Sequence, residues 1–358
     1  MPEFPWDRLA PFDAQARAHP DGMVDLSVGT PVDPTPDVVR RALAAAADAP
    51  GYPATAGTPH LRDAAARWLA RRLGVCGLDP VAVLPTIGSK EFVAWLPTLL
   101  GLGPGDVVAF PALAYPTYDV GARLAGASPV ATDGLVQLGP APVRLLWLNS
   151  PSNPTGQVLP VAHLRKLVAW ARERGCVLVS DECYVEFGWD AEPVSVLDHA
   201  VCDGVVDGLL AVHSLSKRSN LAGYRVGFVA GDPALVARLL EVRRHAGMMV
   251  PAPVQAAAVA ALDDDAHVAD QRARYRSRRD ALVPALTAAG FTIEHSQGGL
   301  YLWGTRGESC WDSLAWLARC GILVAPGEFY GLAGARHVRV ALTATDERIA
   351  AAAARLLS

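Results

Sequence analysis

At 358 residues, with 51% hydrophobic and 19% charged residues, the chain is long enough for about two domains and too apolar to be disordered. A formal charge of -4 with no sustained basic run argues against a nucleic-acid footprint. Six scattered cysteines, none in a CxxC pair, signal neither a zinc site nor a disulfide framework.

The N-terminal stretch MPEFPWDRLAPF holds acids and prolines and lacks the apolar centre of a signal peptide. No apolar run reaches the ~18 residues of a membrane span, so a reduced cytoplasmic protein is expected. Residues 1–24 read as an N-terminal arm. Residues 36–49 and 58–73 read as helices led by Pro-Asp and Thr-Pro, and 88–100 as a third, entered through Gly88. Apolar runs at 107–110, 145–148, 177–180, 208–213 and 226–230 read as strands, with helical segments such as 161–174 between them. That alternation marks a parallel sheet wrapped by helices. Beyond about residue 232 the pattern changes to helices over 233–247 and 252–289, then strand-like 291–294, 300–303 and 337–342. The expected division is a large α/β domain over 40–240 and a smaller α+β domain built from 25–39 and 241–358.

Only three of the 32 basic residues are lysines, at 90, 166 and 217. Arginine can replace lysine as a surface charge but not as an amine nucleophile, so each lysine is a sharp clue. Lys217 lies in HSLSKRSNLAGYR, directly after a strand. A lysine there can enter the crevice at the carboxyl edge of the sheet and form a Schiff base with an aldehyde. Ser214 and Arg225 flank it with donors suited to a phosphate, and no Walker GxxxxGK[ST] is present. Alone, the run also reads as a surface loop.

Asp181 ends the run VLVSD. A carboxylate at the end of a buried strand is costly without a cationic partner, and a protonated pyridine nitrogen is one. Tyr184, three residues on, is placed to donate to the same ligand; the alternative is a carboxylate that caps a helix. Asn153, in the loop NSPSNPTG, also follows a strand into the crevice. Gly88, Ser89 and Lys90 open a helix whose N–H groups suit a phosphate, although an ordinary glycine turn would look the same. Tyr115, in FPALAYPTY, is placed to stack on an aromatic ring or simply to pack.

Taken together, the spacing of Asn153, Asp181, Tyr184, Lys217 and Arg225 resembles the class I/II aminotransferases of pyridoxal-phosphate (PLP) fold type I, over nearly the whole chain. SVGTP at 27–31, the segment from Gly51-Tyr52 to Leu61-Arg62, APGEF at 325–329 and RVAL at 339–342 resemble further segments of that family. The resemblance implies an α/β fold with a mostly parallel seven-stranded sheet between helices, plus a smaller α+β domain. It implies pyridoxal 5'-phosphate held on Lys217 as a Schiff base, with Lys217 also moving the substrate proton. Asp181 would pair with the pyridine nitrogen, Asn153 and Tyr184 would bond the phenolic oxygen, and Tyr115 would stack on the ring. Ser214, Arg225 and the backbone of Gly88, Ser89 and Lys90 would hold the phosphate. Tyr52 would reach a neighbouring subunit's phosphate, which implies a homodimer. Arg339 would grip the substrate carboxylate with help from Gly29 and Asn153, and the Asn153–Pro154 peptide would be cis.

The stretch SLSKRSNLAGYR is most similar to succinyl-diaminopimelate aminotransferases of actinobacterial type. That likeness implies transfer between glutamate/2-oxoglutarate and N-succinyl-2-amino-6-oxopimelate, with small-molecule partners and no metal, membrane or nucleic acid. Another class I/II aminotransferase (aspartate, aromatic or histidinol-phosphate type) and a PLP carbon–sulfur β-lyase share these residues. An aminotransferase-like sensor of a transcription regulator would need a DNA-binding domain, for which there is no room before residue 25.

Overall fold

The computed structural model describes residues 5–357. Seven strands form the main sheet in the order Val83–Thr86, Gly227–Gly231, Leu209–Ser214, Val177–Asp181, Val143–Asn149, Val107–Phe110, Ser128–Ala131. Only Gly227–Gly231 runs against its two neighbours; the other four pairings are parallel. The sheet is therefore the mostly parallel seven-stranded one expected. Alternate side chains feed opposite faces. Leu146 and Leu148 enter one core with Leu61, Trp68 and Leu164, while Leu145 and Trp147 enter the other with Phe92, Leu96 and Tyr118.

Both edge strands of this sheet escape the sequence reading, for one reason. Val83–Thr86 contains Pro85 and Ser128–Ala131 contains Pro129. Proline has no N–H for a ladder, so it demotes a run in a sequence reading while being well tolerated on an edge. Two helices also differ from expectation. The helix expected over 36–49 is shorter, Asp37–Ala45, and ends four residues before the position that Pro50 restricts. The single helix expected over 252–289 is two, Ala252–Asp263 and Ala266–Ala288. Asp264 breaks it, in extended backbone, with its carboxylate accepting from the N–H groups of Ala266 and His267. Short acidic side chains compete for backbone donors in this way and favour helix ends over helix interiors.

A second, antiparallel sheet has the order Ala325–Pro326, Val338–Ala341, Tyr301–Thr305, Thr292–Glu294. Its core gathers Leu302, Val340, Leu314 and Ile349, and Leu9 and Ala16 from the N-terminal segment join it. Ala10–Arg17, Cys310–Arg319 and Asp346–Leu357 are helices that the sequence pattern left unassigned. No described helix is long and apolar enough to cross a membrane.

Two buried ion pairs fix the frame around the carboxyl edge of the main sheet. The fully buried Arg243, on helix Pro233–Ala246, donates at 2.7 and 3.0 Å to both oxygens of Glu91. Glu91 in turn accepts from the N–H of Ile87 at 3.1 Å, so the pair anchors the start of helix Gly88–Leu99. Arg278 is nearly as buried and bonds both oxygens of Asp33, at 2.8 and 2.6 Å, together with Asp346 at 2.6 Å. It ties the segment after Gly29 to the C-terminal helix.

Burial raises the Asp33 carboxyl, but its bonds from Arg278 and Gln271 and the Arg278 and Arg274 charges outweigh this and hold it below its ordinary value. A depressed carboxyl contributes its full stability above the unfolded value and loses it as pH falls through the folded one. Replacing Arg278 by Ala leaves that charge buried and is expected to cost about 3–5 kcal/mol at pH 7. In urea titrations at a series of pH values, the gap to the parent protein should narrow as the pH falls through the acidic range in which Asp33 protonates. A gap independent of pH would show that Asp33 is not the group at stake.

Candidate functional site

The carboxyl ends of strands Val143–Asn149, Val177–Asp181 and Leu209–Ser214 lie side by side, with Asn149 paired to Asp181 and Asp181 to Val212. Ligands of open α/β sheets bind at such an edge. Asp181 is nearly fully buried and accepts from the Tyr118 hydroxyl at 2.9 Å and from the Cys183 N–H at 3.2 Å. Both partners are neutral, and no ion pair to Asp181 exists among the described residues. Burial raises its carboxyl above the ordinary value, against the bonds from Cys183 and Tyr118. Asn149 joins two of the loops: its amide donates to the Asp181 carbonyl at 2.8 Å and its carbonyl accepts from the Asn153 N–H at 2.7 Å. The Ser150–Pro151 and Asn153–Pro154 peptides are both cis, the second as expected.

Lys217 sits in the single helical turn Leu215–Arg218, which Ser214 caps by accepting from the Ser216 N–H at 3.2 Å. Its amine donates to the Gly29 carbonyl. Burial lowers the amine below its ordinary range; the nearby Arg339 and Arg225 charges act the same way, and Tyr301 opposes them. Arg225 closes the same loop in left-handed backbone, φ 55°. Its guanidinium lies against Gly88, where an added Cβ would stand 2.3 Å from its Nη2. Gly88 itself is left-handed at φ 71°, so both conformation and space call for glycine at the head of this helix. Ser89 is half-buried beside it, and the Lys90 side chain is exposed. Tyr115 is half-buried and meets Tyr118 edge-on at 6.0 Å.

Arg339 reaches this edge from the antiparallel sheet. It is 3% exposed and donates to Asn153 Oδ1 at 2.8 Å and to the Ser27 carbonyl at 2.6 Å. Its Nε is buried without a partner among the described residues. The surface pairing with Asp346 that a strand arginine could make belongs instead to Arg278. Tyr184 is buried, and its hydroxyl lies 3.1 Å from that of Tyr301.

The fold thus brings Gly29, Gly88, Ser89, Tyr115, Asn153, Asp181, Tyr184, Ser214, Lys217, Arg225 and Arg339 to one edge. Tyr52 is not among them; it is 99% exposed in the single chain. Three contributors to the cluster carried no sequence signal of their own. Tyr118 was one of two tyrosines in FPALAYPTY and lies in helix Thr117–Leu124, Asn149 read as the first residue of a turn-rich loop, and Tyr301 looked like an ordinary strand residue. Each makes its contact only in three dimensions.

A family model described as aminotransferase class I and II matches residues 21–356. The chain is 67% identical to the 4-dedimethylamino-4-oxo-anhydrotetracycline transaminase OxyQ of Streptomyces rimosus, over 99% of both chains. It is 68% identical to a probable aminotransferase of Mycobacterium tuberculosis, over 99% of this chain and 85% of that one. Among solved structures, the probable N-succinyldiaminopimelate aminotransferase of Thermus thermophilus superposes with a TM-score of 0.87 at 32% identity, covering 98% of this chain and 99% of that one.

The cofactor of this fold and family is pyridoxal 5'-phosphate, and the residues present fit it. Asp181 is a buried acid bonded only by neutral groups, as a ring-nitrogen cation requires. Lys217 supplies a buried amine. The Arg225 guanidinium lies against Gly88 at the head of its helix, in space that a Cβ at residue 88 would fill. Gly88→Ala is therefore expected to displace Arg225 and weaken cofactor binding about tenfold, as Arg225→Ala should. Absorbance titration of the apoprotein checks this; unchanged affinity in both variants would remove Arg225 from the phosphate site.

Proposed function

The chain belongs to the class I and II aminotransferases, and from that premise we propose that it moves an amino group between glutamate/2-oxoglutarate and an acceptor of the N-succinyl-2-amino-6-oxopimelate type. The observation that carries the amino-acid part is Arg339, a buried guanidinium turned toward the Lys217 edge and held by Asn153 and the Ser27 carbonyl. Every α-amino or α-keto acid has a carboxylate beside its reacting carbon. A planar fork holds both oxygens in one plane, and so selects which Cα bond is aligned to break.

The bound cofactor supplies an electron sink for the charge left at the substrate Cα. On this reading Lys217 holds the cofactor, and its Nζ takes the Cα proton. Burial favours the neutral amine that this needs. Asp181 keeps the ring nitrogen protonated. Asn153 and Tyr184 bond the phenolic oxygen, and Tyr115 packs on the ring. Ser214, Arg225 and the N–H groups of Gly88, Ser89 and Lys90 hold the phosphate. Gly29 lines the substrate side. Tyr52, free in the single chain, serves the phosphate site of a second copy in a homodimer.

The diaminopimelate-type acceptor is supported by the SLSKRSNLAGYR stretch and by the likeness to the Thermus protein. One observation favours a second acceptor: 67% identity to a relative whose name specifies a 4-oxo-anhydrotetracycline. A panel of acceptors, each offered glutamate and followed by 2-oxoglutarate release, separates the two. The proposal expects the highest kcat/KM with N-succinyl-2-amino-6-oxopimelate; a preference for the 4-oxo compound would replace that acceptor. In the same assay, Arg339→Lys should raise KM about tenfold for glutamate and keto acid alike, since both use one grip. Unchanged KM for both, with cofactor still bound, would place the carboxylate elsewhere.

A further inference from the structure

We propose that Tyr301 is a positioning residue that links the two halves of the site: its ring clamps Arg339, and its hydroxyl sets how strongly Tyr184 donates. The inference rests on the site reading above and adds a residue to it.

Tyr301 opens strand Tyr301–Thr305, which pairs antiparallel with Val338–Ala341 so that Trp303 stands opposite Arg339. Tyr301, two residues earlier, lies on the same face. Its ring centroid is 3.9 Å from the Arg339 guanidinium carbon, and that of Tyr330 is 4.8 Å away. A buried guanidinium over an aromatic face is held by the ring's quadrupole as well as by its hydrogen bonds. Losing the ring would free the fork that Asn153 and Ser27 otherwise orient.

The hydroxyl end is equally confined. It lies 3.1 Å from the Tyr184 hydroxyl, and a Cβ at Gly29 would stand 2.1 Å from it. Each phenol has one proton. If Tyr184 gives its proton to the cofactor's oxygen, then Tyr301 is the donor in the bond between them. A hydroxyl that accepts a hydrogen bond becomes the stronger donor, so Tyr301 sharpens Tyr184. The groups acting on Tyr301 favour this direction. Burial raises its phenol, but the Arg339 charge and the bond with Tyr184 act against burial and leave it below its ordinary value in the cofactor-free chain, where a Lys217 ammonium would act the same way. Tyr184, by contrast, is raised by burial and by Tyr301. The Arg339 cation over the Tyr301 ring, 3.9 Å from its centroid, polarises that phenol and favours it as the donor. Tyr115, Tyr275 and Tyr330, the other tyrosines that feel Tyr301, are all raised by burial and stay neutral near pH 7.

The test uses the cofactor-loaded enzyme and five forms: parent, Tyr301→Phe, Tyr301→Leu, Tyr184→Phe and the Tyr184→Phe/Tyr301→Phe double variant. Two quantities are read: the pH midpoint of the visible absorbance change of bound cofactor, and KM and kcat with glutamate. Tyr301→Phe keeps the clamp and loses the hydroxyl. It should raise the midpoint by about half a pH unit and lower kcat roughly threefold, with KM unchanged. Tyr301→Leu should add a roughly tenfold rise in KM. Tyr184→Phe should raise the midpoint too, and the double variant should go no further than Tyr184→Phe alone. A silent Tyr301→Phe, or additive shifts in the double variant, would overturn the inference and leave the site reading standing. A midpoint unmoved by Tyr184→Phe would overturn the site reading and this inference together.

Discussion

A carboxylate at the end of a buried strand must be partnered or neutralised, and Asp181 is the position where that constraint is sharpest. Its bonds come from a phenol and a backbone N–H, neither of which supplies charge. Burial accordingly drives it toward the neutral acid. A cation brought to this place would keep it ionised, so a basic ring nitrogen and Asp181 stabilise each other's charged forms. The parallel register beneath it puts Asn149 and Ser214 at the same edge. On the proposed reading, the cost of one buried acid marks where the cofactor's ring nitrogen would sit.

The second organising contact crosses between the two sheets. Arg339 comes from the antiparallel sheet, Asn153 from a loop of the main sheet and Ser27 from the segment that Asp33 and Arg278 tie down. One guanidinium thus sets the spacing of three chain regions distant in sequence. Strand alternation does the rest. Asp181 joins the site, while its neighbour Glu182 turns away to meet His213 at 3.5 Å in the core beside Trp68. Burial raises that carboxyl to about 7 and lowers the imidazole to about 3, which favours a pair of neutral groups in the core.

Much of the candidate site was legible in the sequence because its residues sit where strands end. Lys217, Asp181 and Asn153 each end or follow an apolar run, so strand periodicity and residue type point to one edge. The central strands of the main sheet were readable for the same reason. The edges were not, since Pro85 and Pro129 interrupt the runs that would announce them. Tyr118 and Tyr301 were unreadable for a different reason. A tyrosine in a helix or strand has the same local pattern whether it packs or bonds a polar partner, and only tertiary contact distinguishes the two. The break at Asp264 shows a third limit. Helical periodicity continues across it, and the acidic run that ends one helix and starts the next is a local competition for backbone donors.

The central claim is that a single amine, that of Lys217, carries the cofactor. The chain offers only three lysines, at 90, 166 and 217, so the claim has few rivals. Borohydride reduction of the cofactor-loaded protein fixes the attachment point permanently, and mass mapping of the digested chain then locates it. The account predicts a phosphopyridoxyl group on the peptide containing Lys217 at about one per chain, with Lys90 and Lys166 unlabelled. Label on Lys90, or none above background in protein shown to bind the cofactor, would contradict it.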